Sequence, residues 1–278
     1  QRVLNFIPSV QKYHFLPPSP GTMAVYNEAE SLQTLITLLE EVEGTRVTLI
    51  GDVMLDRYHH GYANNLNSTA PVPALRVIYS EESPGAAAHV ARGLSSLGLS
   101  VDLHSSVGDD SEGKCIIKTL SEDGIDTSGI IEVEGRNTLT KIRFYGSREN
   151  LLDQEQILLQ ADRGPLDELD PYISESLTKA SLESLSESQA LVISDYNKGV
   201  ITEEGSELLI SAAKSLGIPS IVDPKLTGLS RSKGADIVIF GIRGLELQNK
   251  RLMTPSLDEA ASQPVSYTHL RAHETACY

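Results

Sequence analysis

Four aspartates stand directly behind short apolar runs: Asp52 and Asp56 after VTLIG, Asp195 after LVIS, and Asp223 after IPSIV. Read as buried strands of an open α/β sheet, such runs deliver their last residues to the crevice where ligands bind. Carboxylates gathered there suit sugar hydroxyls, which donate hydrogen bonds, or a hydrated Mg2+, which prefers oxygen ligands. Turn formation or helix capping accounts equally well for any one of them. Their recurrence at strand ends favours a site.

Cations follow two of these carboxylates closely, Lys198 in SDYNKG and Lys225 in VDPK. An ammonium group so placed either meets a phosphoryl oxygen or forms a surface ion pair. Lys141 and Arg143 are alternate residues of LTKIRFYG and share one strand face, turned toward a phosphate or toward solvent, while Ile142 and Phe144 pack inward. Pro84 and Gly85 precede an alanine-rich helix whose first N–H groups have no partner within the helix. The small side chains of Ala86, Ala87 and Ala88 let a polyhydroxylated ligand approach the backbone, with His89 within reach of it. Tight packing of that helix on a sheet explains the alanines equally well. Other chemistries lack their motifs: there is no GxxxxGK followed by Ser or Thr, no HExxH and no GxSxG. GLSSLG and GLSRSKG do not have the spacing of a dinucleotide fingerprint, and Cys115 in the run CII reads as core.

The elements that must position these groups follow from periodicity. Leu32, Leu35, Ile36 and Leu39 recur at helical spacing before Gly44. RVTLIGDVMLD reads as a strand running into a glycine turn, SPGAAAHVARGLSSLG as a turn and helix, and SVDLHSSVGDD as a returning strand. A further helix is expected from Ser111 to about Glu122. ALVISDYNKG, IPSIVDPK and ADIVIFG read as buried strands, with an amphipathic helix in EEGSELLISAAKSLG. Strands alternating with helices predict a mainly parallel, doubly wound α/β sheet covered on both faces. The stretch from Gly61 to Tyr79 has a different texture, with rigid APVPA and strand-like LRVIY, and is expected to join a small sheet outside the main one.

The 278 residues carry 38 acidic and 23 basic side chains, a net charge of -15 that repels nucleic acid and anionic membrane surfaces. A local cluster of cations can still bind a small phosphorylated ligand inside an acidic protein. The two cysteines, Cys115 and Cys277, have neither metal-ligand spacing nor a disulfide framework, and a cytoplasmic setting is expected. Residues 1–22, with LPPSPG, read as an extension, residues 23–263 as the domain, and 264–278 as an artefactual tail without function.

Seven stretches in order, GDVMLDRY, APVPALRV, SPGAAAHVARGLSSLG, VGDDSEG, TLTKIR, SDYNKGV and VDPK, resemble the ribokinase-like carbohydrate kinases of the phosphofructokinase B type, and within them the heptose 7-phosphate kinases. The likeness runs from about residue 45 to 247. It implies an α/β domain with a small β lid near 58–80 that moves the γ-phosphoryl group of ATP, with Mg2+, to a sugar hydroxyl. Asp56 would face the sugar, with Gly85, Ala86, His89, Lys141 and Arg143 around it. Asp195, Lys198, Asp223 and Lys225 would lie near the phosphate-transfer region, and the lid edge would suit a homodimer.

Departures from the family pattern set further expectations. PGGAAN becomes PGAAAH, placing Ala86 at the second glycine and His89 at the asparagine, and Thr69 stands where the heptose kinases carry Glu. The family's TPNxxE aligns with IFGIRG, so Gly241 and Gly244 replace Asn and Glu. Its GAGD stretch, with the general base, finds no counterpart. The resemblance therefore implies a C-terminally truncated kinase domain, slowed by about 100-fold to 10,000-fold or more, or a noncatalytic sugar-phosphate-binding or regulatory relative.

Overall fold

In the computed structural model, the described residues are 28–147, 155–241, 244, 246, 247, 250 and 269–273. Two sheets divide the strands. The larger has seven, in the order β11, β10, β9, β8, β1, β4, β5, comprising β1 (Arg46–Gly51), β4 (Ser100–Gly108), β5 (Ile130–Val133), β8 (Ala190–Asp195), β9 (Ser220–Pro224), β10 (Ile237–Gly241) and β11 (His269–His273). Every pairing in it is parallel. The smaller sheet has four, in the order β3, β2, β6, β7: β2 (Val53–Leu66), β3 (Pro73–Ala86), β6 (Thr140–Ser147) and β7 (Gln156–Arg163).

Alternation along β1 builds two cores, because successive side chains point to opposite faces. Leu49 joins Ala87, Ala91, Ile116 and Leu120 from α2 (Ala87–Ser96) and α3 (Ser111–Glu122). Ile50 joins Leu177, Leu185, Leu209 and Ile210 from α4 (Pro171–Leu185) and α5 (Glu203–Leu216) on the other side. This is the doubly wound arrangement that the alternating pattern predicts. Caps mark where the helices begin: Asp110 accepts from the Gly113 N–H at 2.9 Å, Asp170 from Tyr172 at 2.9 Å and Thr202 from Gly205 at 3.0 Å. A further helix, α1 (Glu28–Val42), precedes β1. Among the described residues no helix is long and apolar enough to cross a membrane.

The glycine turn expected after VTLIG is instead a change of sheet. The chain leaves β1 at Asp52 and continues as β2, fourteen residues long, antiparallel to β3 and parallel to β6. Gly51 is required there because a Cβ would fall 2.2 Å from the Ser194 carbonyl oxygen on β8. The small sheet is also wider than residues 58–80, since β6 and β7 complete it. β7 escapes a sequence reading because its residues QILLQADR are exposed at seven of eight positions and lack alternation. Glu112, buried on α3, ties this sheet to the core by accepting from Arg57 at 3.2 Å and pairing with Arg163 at 3.0 Å.

Strand β11 falls inside the stretch 264–278, where no periodicity predicts an element. Its backbone pairs with β10, whose free edge offers N–H and C=O groups to any extended segment. Residues 1–22 lie outside the described residues.

Candidate active site

Where the chain crosses between sheets, two clusters form. The first centres on Asp56 of β2. Its Oδ1 accepts from Arg143 Nη1 of β6 at 2.8 Å, and Arg143 also donates to the Tyr58 hydroxyl at 3.3 Å. Burial opposes the Arg143 charge, but the hydrogen bond and charge of Asp56 outweigh it and raise the guanidinium pKa. Gly85, opposite Met54 at the end of β3, lies against the same carboxylate: a Cβ there would stand 2.1 Å from Asp56 Oδ2. Only glycine leaves Asp56 this position.

Ala86 adopts φ 55° and ψ −128°, a left-handed conformation that glycine reaches freely and alanine only with strain. The turn therefore keeps the shape that two glycines would give it, despite the substitution. The next residue, Ala87, donates its N–H to the Asp52 carbonyl at 3.0 Å, which joins α2 to the crossover. His89 is on the first turn of α2 and exposed. Thr69 is at the β2–β3 hairpin tip, where its N–H and hydroxyl both donate to Asn67 Oδ1, at 2.8 and 2.7 Å.

The second cluster lies at the ends of β1, β8 and β9. Asp52 is 1% exposed and accepts three backbone N–H groups: Tyr196 at 2.9 Å, Lys198 at 3.1 Å and Val200 at 3.2 Å. Burial pushes its pKa up to about 6; these hydrogen bonds oppose the rise and the charge of Asp195 adds to it. Asp195 is fully buried, accepting from Asn197 N–H at 2.8 Å and from Arg231 Nε at 2.6 Å. Arg231 comes from a 3-10 turn, Leu226–Ser232, and also donates to Asn197 Oδ1 at 2.6 Å, holding Asn197 at φ 57°.

Of the two roles open to a strand-end aspartate, ligand contact or turn formation, these contacts show turn formation at Asp52 and Asp195. Asp52 and Asp195 build the SDYNKG turn, because its successive N–H groups need acceptors in a buried place. Asp223 of β9 is the half-buried exception: burial raises its pKa, Lys225 counters this and Asp195 reinforces it. What the turn presents is Tyr196. The Lys225 and Lys141 ammonium groups stand 3.9 and 5.6 Å from its ring centroid. Lys198 lies beside this, lining a cavity with Asp52, Gly108, Arg136 and Thr138. Cys115 is half-buried: it packs against the core shared by α2 and α3, as expected, and donates its thiol to Glu82 at 3.4 Å.

No group of three or more metal-binding side chains occurs among the described residues. Of the strand-end carboxylates, Asp52 and Asp195 are taken by the turn, which leaves Asp223 as the one of the three not engaged by it. Sequence reasoning misses Tyr196 and Arg231: Tyr196 carries one signal, its place directly after the strand-end Asp195, and Arg231 carries none.

A doubly wound domain with a β lid, and a carboxylate over a glycine turn at their seam, has the layout of a sugar-binding kinase. Residues 45–263 match the pfkB family carbohydrate kinases, and the chain belongs to that family. Over 209 residues it is 35% identical to the bifunctional protein HldE of Magnetococcus marinus, covering 72% of this chain and 42% of that protein. Over 206 residues it is 34% identical to HldE of Coxiella burnetii, covering 73% and 40%. The chain thus spans about two fifths of the length of these curated relatives. Phosphofructokinase-2 of Escherichia coli, in its tetrameric inhibited form, superposes with a TM-score of 0.59 at 22% identity, covering 79% of this chain and 69% of that one. Arabidopsis thaliana ribokinase complexed with ribose and ATP gives 0.57 at 14% identity, covering 82% and 72%. At these identities the structural likeness is one of fold.

Proposed function

We propose that this chain carries the sugar-binding half of an ATP-dependent kinase reaction, with a sugar phosphate as acceptor and heptose 7-phosphate, on the way to ADP-heptose, as its best candidate. The single observation that carries this reading is the Asp56 carboxylate of the lid sheet, held by Arg143 against the Gly85 turn. A carboxylate held through Oδ1 by a guanidinium keeps lone pairs on Oδ2 to accept from a sugar hydroxyl and so orients the ring. The family membership supports phosphoryl transfer, and the heptose motifs in APVPALRV and SDYNKGV, with the HldE relatives, support the choice of sugar.

Bound ATP would supply the electrophilic phosphorus. The sugar hydroxyl oxygen would form the new P–O bond, giving up its proton to a base or to solvent, as the bond to the departing ADP breaks. The residues of this chain position the acceptor: Asp56 and Arg143 fix its hydroxyls, the lid limits water, and Lys141 and Lys225 offset phosphate charge.

A binding-only or regulatory role is the second reading, favoured by the commitment of Asp52 and Asp195 to the turn. Titration with heptose 7-phosphate, followed by 31P NMR in the presence of ATP and Mg2+, separates the two. Saturable binding with transfer supports the kinase, and binding without transfer supports the second reading. Absence of sugar binding counts against both.

The two edge strands of the lid expose apolar side chains, Val77 (45%) and Ile78 (52%) on β3 and Leu159 (58%) on β7. A homodimer formed through the lid would cover them. Light scattering of the wild type and of an Ile78→Lys, Leu159→Lys variant tests this: a dimer reduced to a monomer supports it, and a monomeric wild type contradicts it.

A further inference from the structure

We propose that Lys141 of the lid and Lys225 of the core form a two-cation seat for one phosphate group, floored by Tyr196, so that a phosphate-bearing ligand draws the lid onto the core. The identity of that ligand as a sugar phosphate rests on the kinase reading above, whereas the seat itself does not.

Lys141 is on β6 of the four-stranded sheet and Lys225 follows β9 of the seven-stranded one, yet both ammonium groups stand over the same ring. Neighbouring guanidinium groups are committed: Arg143 to Asp56, Arg231 to Asp195, and Arg57 to Glu82 and Glu112. Among the described residues neither lysine forms an ion pair.

Their charges also oppose each other. Burial lowers the Lys225 pKa, Asp223 raises it, and Lys141 lowers it again. A dianion between them removes that repulsion, and a phosphate monoester carries two charges on oxygens that ammonium groups can share. Flexible four-carbon stems let both ammonium groups reach one phosphate. The floor is rigid, because Asp52 holds the Tyr196 and Lys198 N–H groups. Asp56 and its partner Arg143 lie along the same stretch of the lid, since Asp56 is paired in register with Lys141. The seat therefore adjoins the sugar site.

Isothermal titration of the full chain with inorganic phosphate, heptose 7-phosphate, the unphosphorylated heptose and ATP tests the seat. The wild type is compared with Lys141→Ala, Lys225→Ala and the double variant, with circular dichroism and thermal melts confirming that each folds. Each single change is expected to weaken inorganic phosphate and heptose 7-phosphate by about tenfold to a hundredfold and to leave the unphosphorylated heptose unchanged. Lysine-dependent binding of ATP but not of heptose 7-phosphate would keep the seat and assign it to the nucleotide, overturning the sugar phosphate. Lysine-dependent binding of inorganic phosphate without any sugar binding would keep the seat and reject the kinase reading. Phosphate affinities unchanged in both single variants and in the double variant would overturn the seat, whatever the sugars do.

Discussion

A Cβ on Gly85 would stand 2.1 Å from Oδ2 of Asp56, so the end of β3 and the carboxylate of β2 form one unit. Gly85→Ala must displace the carboxylate that Arg143 holds from its other oxygen. The expected result is loss of sugar binding by at least tenfold, with a modest loss of stability of about 1 kcal/mol. Calorimetric titration beside a urea melt checks both. Unchanged sugar affinity would detach Asp56 from the binding site.

Ala86 pays for its left-handed backbone in strain. Residues held in such regions cost on the order of 1 to 3 kcal/mol, partly offset when glycine enters by the added freedom of the unfolded chain. Ala86→Gly is expected to raise stability by about 1 kcal/mol, which in a domain of this size lifts Tm by roughly 2 to 4 °C. A lower Tm would show that the alanine methyl contributes packing that outweighs the strain.

Asp52 makes stability depend on pH. Its folded pKa of about 6 lies above the ordinary 3.8, so between these values the native state keeps a proton that the unfolded chain has lost. Its contribution is fully present below about pH 4 and declines as pH rises through 6, by about 3 kcal/mol in all. Urea melts from pH 4 to 7 should show this decline in the wild type and a flatter profile in Asp52→Asn. Parallel profiles would contradict it.

Arg231 neutralises Asp195 in a fully buried place. Removing one partner of a buried pair leaves a charge without compensation, at about 3 to 5 kcal/mol. Arg231→Ala should destabilise by that order, and Asp195→Asn added to it should recover part of the loss. Denaturant midpoints for the two variants decide the matter; equal midpoints would mean that the pair is not coupled.

The fold was legible because buried strands and amphipathic helices impose their periods on sequence: LVIS, the SIV of IPSIV and the IVIFG of ADIVIFG lie in parallel strands. The lid was only half legible. β2 continues past Asp52 through polar residues, and β7 is exposed along most of its length, so neither carries a period of two. At the site, the aspartates were visible as strand-end residues, but their roles were not. Whether a carboxylate meets a ligand or its own backbone depends on the turn that follows, and three N–H groups from SDYNKGV take Asp52. Arg231 could not be anticipated, since its partner lies 36 residues away, across helix α5, strand β9 and most of a 3-10 turn.

If Asp56, set against Gly85 and held by Arg143, binds a sugar phosphate, its carboxylate must matter to affinity. Calorimetric titration of the wild type and Asp56→Asn with heptose 7-phosphate measures this. Saturable binding to the wild type is expected, weakened at least tenfold in a variant that melts like the wild type. Equal affinity in the two proteins, or no binding of any sugar phosphate to the wild type, would contradict it.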